Sequence, residues 1–139
     1  DENIVVNEGL NALLDIMFHN ATQISTWYLG VFEGNYTPVA GVTAADIAGN
    51  ATESVAYDEA GRPSFVEIAA NNKSISNMAN RATFTFNATK TIYGAFLISD
   101  GTKGGSSGTL FSAARFSSSK NVVPGDQLLL AYTFTASSL

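Results

Sequence analysis

Alternation at period two governs the second half of the chain. Ala82-Thr83-Phe84-Thr85-Phe86-Asn87 switches between apolar and polar at each step, so Phe84 and Phe86 share one strand face and the two threonines the other. Ile92 to Ile98 is nearly all apolar, as in a central strand covered on both faces. A glycine- and serine-rich connection, 100–108, leads to a strand near Thr109–Phe116. Pro124-Gly125 suits positions i+1 and i+2 of a type II turn and delivers the chain into Gln127–Thr135, where Leu128, Leu130, Tyr132 and Phe134 share a face. Earlier, Thr26–Phe32 is β-branched and aromatic and stops at Glu33-Gly34-Asn35. No helical pattern separates the later strands, which disfavours a parallel α/β fold. The spacing predicts a mainly β chain, an antiparallel β-sandwich or jelly-roll-like barrel with one short N-terminal helix, forming a single domain over residues 1–139.

The helix is expected at residues 8–18. Asn7 is a good N-cap, Glu8 suits the first turn, and Leu10, Leu13, Leu14 and Met17 fall at i, i+3, i+4 and i+7. Gly9 weakens it by about 1 kcal/mol relative to alanine, so its stability is expected to come from docking the leucine face. Residues 1–6, with the apolar piece Ile4-Val5-Val6, read as an extended arm. Residues 34–64 read as a long irregular loop punctuated by Pro38, Gly41, Gly49, Gly61 and Pro63. Within it Thr43-Ala44-Ala45-Asp46 has the form of a capping box opening a helical turn. Loops of this length often make contacts.

Composition narrows the function classes. With no cysteine there is no disulfide, thiol nucleophile or thiolate zinc site, and His19 is the only histidine. No apolar run nears the roughly 18 residues of a spanning helix, so no membrane partner is expected, and no signal-peptide pattern opens the chain. The five Asn-X-Ser/Thr sequons, at Asn20, Asn35, Asn50, Asn72 and Asn87, therefore predict no glycans. Charged residues make up 14% of the chain, against about 25% in average soluble domains. A surface short of Lys and Glu resembles an interface, although exposed strands and turns rich in Ser, Thr and Asn give the same composition.

Residues 1–61 contain nine acids, Asp1 included, and no Lys or Arg; residues 62–139 contain three acids and seven bases. Such halves either present surfaces of opposite sign to a partner or interleave and neutralise each other. The acidic balance, without a basic cluster, disfavours nucleic acid.

No catalytic set emerges, and the expectation is a protein that is not an enzyme and needs no cofactor. Gly101-Thr102-Lys103-Gly104-Gly105 has the wrong order for a phosphate loop and precedes a strand. Asp46, Glu53, Asp58 and Glu59 match no calcium-loop spacing. His19 has Asp15 at i−4 but no nucleophile. Trp27, Tyr28, Tyr36 and Tyr57 would serve a sugar only if gathered on one surface, and buried sandwich aromatics are commoner.

Four segments carry a family resemblance: Asn7-Glu8-Gly9-Leu10-Asn11 through Asp15; Trp27-Tyr28-Leu29-Gly30; Tyr57-Asp58-Glu59-Ala60-Gly61-Arg62-Pro63; and Gly94-Ala95-Phe96-Leu97-Ile98-Ser99-Asp100 with the glycine loop after it. Together they resemble, in order and over most of the chain, small virion structural proteins of tailed bacteriophages. The chain is most similar to capsid cementing (decoration) proteins. The resemblance implies a module on the capsid exterior of the virion, bound to the major capsid protein and bridging its subunits against DNA pressure. Self-association as a homodimer or higher assembly is compatible with it. The alternative is a small tail- or fibre-associated protein with a receptor- or glycan-binding role. Ile4, Val5, Val6, Tyr36, Val39, Asp58, Glu59 and Arg62 are the expected interface residues.

Overall fold

The computed structural model describes residues 2–138, with Glu2 described by its backbone alone. Asp1, counted among the acids of the first half, lies outside the described residues. The chain is mainly strand in antiparallel sheets, with an N-terminal helix. Strands β1 (Glu2–Val5), β2 (Tyr28–Phe32), β5 (Lys90–Ile98) and β6 (Leu110–Val122) form a four-stranded sheet in the order β1-β6-β5-β2. Two further pairs stand beside it: β3 (Ser74–Ser76) with β8 (Thr133–Thr135), and β4 (Ala82–Thr85) with β7 (Gln127–Leu130).

β5 explains the arrangement. Its apolar run is buried on both faces because successive side chains enter different clusters. Ala95 and Leu97 join Leu29, Val31, Phe84, Phe86, Leu130 and Tyr132 on one side; Phe96 and Ile98 join Val6, Phe32, Ile47 and Leu110 on the other. Between β2 and β5 the register places Gly30 opposite Phe96 and Phe32 opposite Gly94, and each ring lies over the other strand's glycine. Two phenylalanines thus fit on one face of a tight antiparallel pair.

Residues 34–64 are built into the fold, where a loop was expected. They contain helix α2 (Ala44–Asn50), whose Ala44 and Ile47 are buried over the sheet beside Val42 and Ala51. Thr43 occupies the N-cap position, but its hydroxyl donates to the Asp46 carboxylate at 3.1 Å, so the capping box closes side chain to side chain. Residues 53–65 then run along the free edge of β2, where Ser54 and Phe65 donate to Val31 and Trp27, and Leu29 donates to Pro63. An apolar sheet edge is covered in this way.

The expected N-terminal arm is instead a strand. Residues 2–5 pair in register with Arg115–Ser112 of β6, and Val6 is fully buried. Helix α1 (Asn7–Phe18) starts one residue earlier than the sequence pattern suggested: Val6 occupies the cap position, and Asn7 donates its N–H to Ala40.

At the other end of the chain, Pro124-Gly125 makes the expected turn, with Gly125 at φ 94° and Asp126 donating to the Val123 carbonyl. The strand after it breaks into β7 and β8. The buried Asn77 side chain bridges the break, donating to Leu130 O at 3.2 Å and accepting from Tyr132 N at 2.7 Å.

Candidate functional site on the first helix

α1 does not dock by its leucine face. Leu10, Leu13, Leu14, Met17 and Phe18 are between 43% and 81% exposed, and Gly9 is the buried residue of the helix. The expected docking is therefore replaced by a backbone contact: a Cβ on Gly9 would lie 2.7 Å from the Phe111 Cα. Glu8, one residue earlier, fixes the helix start. Its Oε2 accepts from Ala44 N at 2.8 Å and Leu110 N at 2.9 Å, joining α1 to the first turn of α2 and to β6. Held at its first turn, the helix leaves its apolar side chains outside the core.

Beside α1 lies an open groove of about 930 Å³. Leu13, Ile16 and Met17 form the helix wall; Ile75 and Phe134 come from the β3–β8 pair. Trp27, Phe65 and Phe111, partly or fully sunk into the first cluster, add aromatic surface. Phe111 meets Trp27 and Phe134 edge-to-face, with centroids 5.8 and 5.1 Å apart. The charged groups along the groove are Glu67 and Lys73. Leu14 and Phe18, four residues apart, project from α1 outside the groove lining. The face can bury apolar surface against a partner, and apolar patches of roughly 300–600 Å² on a monomer are often functional.

The residues expected at an interface are scattered. Val6 belongs to the core, and Ile4 is half-buried against the same cluster. Val5 is half-buried and lines the groove. Tyr36 packs edge-to-face on Phe32, and burial, the largest influence, raises its phenol above the ordinary value. Val39 is exposed. Asp58 is exposed and accepts from the Asn87 side chain. Arg62 is buried in a two-point ion pair with Glu53, Nη2 to Oε1 at 2.7 Å and Nε to Oε2 at 2.9 Å. It also donates to the carbonyls of Asp100 and Gly105 and stacks on Phe96, so it fastens the glycine-rich loop to the body.

Glu59 works inside the chain as well. Burial opposes its charge, but the N–H and hydroxyl of Thr85, at 2.8 and 2.9 Å, outweigh that and hold its carboxyl below the usual range. Lys103 caps Tyr57 O at 2.6 Å and sits 4.2 Å from the Tyr57 ring centre. Burial is the main reason the Tyr57 phenol is pushed far up. With Glu33 paired to Lys90 at 3.2 Å, acids of the first half meet bases of the second inside one fold. The two halves interleave at these contacts.

Trp27 faces the groove, Tyr57 is buried in the first cluster, and Tyr28 and Tyr36 pack on the second, so the four aromatics form no common platform. Among the described residues, no three His, Cys, Asp or Glu side chains are grouped to hold a metal, and no helix is long and apolar enough to cross a membrane. The groove went unforeseen because period alone cannot say whether an apolar helix face is covered. Gly9 was the available signal, since a glycine facing inward on an amphipathic helix marks a close backbone approach. No protein-family model matches the chain, and no curated protein matches it in sequence.

Proposed function

We propose that the chain is a virion structural protein that binds the outer surface of a tailed-phage capsid and cements neighbouring major-capsid-protein subunits. The observation that carries this reading is the apolar face of α1, left outside the chain's own core beside an apolar groove. Such a face gains free energy only when another protein covers it. The sequence resemblance supplies the class of assembly. The internal use of Glu53, Glu59, Arg62 and Lys103 agrees with a scaffold that works through surfaces. In this reading the four-stranded sheet and the two smaller pairs are the layers of a sandwich or jelly-roll-like module, and modest contacts repeated by capsid symmetry supply avidity.

The test is add-back. Shells lacking the chain are mixed with purified protein, and occupancy and resistance to heat are measured. Saturable binding at a fixed ratio to the major capsid protein, with a raised disruption temperature, is the expected result. Binding confined to tails, or no saturable binding to shells, overturns the reading.

A further inference from the structure

We propose that Asn20, Asn35 and Asn50 are acceptor sites for N-linked sugar. The inference goes beyond the cementing reading and makes no use of the α1 face. The residue pattern alone predicts no glycan at the Asn-X-Ser/Thr sequons; the conformation of Thr52 points the other way. The chain carries five sequons, whereas its content of Asn, Ser and Thr would give about two by chance. Thr52 is the hydroxyl residue of Asn50-Ala51-Thr52, and it stands at φ 56°. It follows the C-cap of α2, where Glu53 N donates back to Ala48 O, a helix stop that suits glycine and opposes a β-branched residue. The fold makes no other use of a threonine there. Its side chain is exposed, and its hydroxyl has no hydrogen-bond partner among the described residues. Only its carbonyl is engaged, by Glu33 N at 2.8 Å, and any residue supplies a carbonyl. A strained residue that the fold does not need answers a requirement from outside it, and sugar transfer to asparagine requires a hydroxyl two residues on.

The same comparison sorts the other sequons. Asn20, Asn35 and Asn50 are exposed together with Thr22, Thr37 and Thr52, and these side chains are unbonded among the described residues. At the remaining two, the Ser74 hydroxyl is shared with that of Thr135 at 3.3 Å, and the Asn87 amide donates to Asp58 at 3.3 Å. None of the three acceptors lines the groove beside α1, so sugars there leave it open. The donor is a sugar activated as a glycosyl diphosphate. The asparagine Nδ2 bonds to the anomeric carbon, whose bond to the diphosphate oxygen breaks. The diphosphate leaves with the electron pair, and the nitrogen gives up one proton to the transferase. A nucleotide-linked donor in the cytoplasm adds single monosaccharides; a lipid-linked donor across the membrane adds a preassembled oligosaccharide.

Intact mass and fragment mapping of the full chain, isolated from the particles or cells that make it, test this. The expected mass exceeds 14.6 kDa, with the excess on Asn20, Asn35 and Asn50. One monosaccharide per site identifies the nucleotide-linked donor, and a larger repeated block the lipid-linked one. Thr52→Ser should keep the sugar at Asn50, whereas Thr52→Gly should remove it there and leave Asn20 and Asn35 modified. Made in a host without the transferase, Thr52→Gly should unfold at a higher urea concentration than the unmodified parent, because the strain is relieved. A native chain at the unmodified mass, sugar confined to Asn72 and Asn87, or a Thr52→Gly variant with a lower urea midpoint overturns the inference. Shell add-back uses unmodified protein, so the cementing reading and this one fail separately.

Discussion

Gly9 of α1 rests directly on the backbone of Phe111 in β6, at a spacing that leaves no room for a side chain. Helix propensity alone says that Gly9→Ala stabilises the chain by about 1 kcal/mol. The contact says the opposite, because the methyl would overlap Phe111 backbone atoms that the sheet holds in place. Overpacking of this kind costs about 1–3 kcal/mol. Urea unfolding of Gly9→Ala should therefore show a lower midpoint than the parent, and a higher midpoint would mean that the helix can lift off β6 freely.

Exposure of the leucine face sets a second expectation. Buried leucines lose about 2–5 kcal/mol on truncation to alanine. Leu13→Ala and Leu14→Ala remove side chains that are at least half exposed, so each should change monomer stability by only about 0.5 kcal/mol. A large loss in either variant would show that the leucine face is docked on the chain's own core.

Much of the fold was legible where the signal is local. The alternation at Phe84 and Phe86, the run Ile92–Ile98 and the Pro124-Gly125 turn each need only neighbouring residues to be read, and each stands as expected. What escaped depends on distant partners. Glu8 suits a helix start by composition, yet its acceptor role is fixed by Leu110, and Gly9 takes its meaning from Phe111. Residues 34–64 looked irregular because their order comes from covering a sheet edge and one sheet face rather than from periodicity. The apolar groove was least legible of all, since an amphipathic helix writes the same pattern whether its face is covered by its own sheet or by another molecule.

Arg62 and Glu53 provide a third test. Both side chains are buried, so removing one leaves the other uncompensated, a loss of about 3–5 kcal/mol. Arg62→Met also releases the carbonyls of Asp100 and Gly105. Hydrogen exchange in residues 100–105 should accelerate in this variant well beyond the change in global stability. Unchanged protection there would mean that the glycine-rich loop is ordered without Arg62.

The lowered carboxyls predict the acid limb. Backbone donation from Thr102 is the main cause for Asp100, and for Glu59 the Thr85 bonds exceed the opposing effect of burial. Folded-state values lie below unfolded ones, so both groups contribute stability that is present above about pH 4 and lost as pH falls through the lowered values. Glu59→Gln with Asp100→Asn should flatten the decline in urea midpoint between about pH 5 and 2. A double variant with the parent's acid slope would assign that limb to other carboxylates.

Asn77 gives the sharpest chemical test, because both ends of its amide are used where β7 and β8 part. Tyr132 N, just past the end of β7, would otherwise lie near the core unpaired, and Tyr132 is itself anchored by its hydroxyl on Ala95 O at 2.7 Å. Asn77→Ala strands the Tyr132 N–H, at about 1–3 kcal/mol, and removes one of the bonds to Leu130 O. Asn77→Asp keeps the acceptor toward Tyr132 but turns a buried charge toward the Leu130 carbonyl. Burial and that carbonyl raise the carboxyl of the variant and are expected to outweigh the single Tyr132 N–H bond that lowers it, so its folded form takes up a proton on acidification and can then donate to Leu130 O. Relative to the parent, Asn77→Asp should be weakest at neutral pH and recover as pH falls toward about 5, whereas Asn77→Ala should show no such recovery. Equal, pH-independent losses in the two variants would mean that water reaches the break between the strands and that the amide does not hold it.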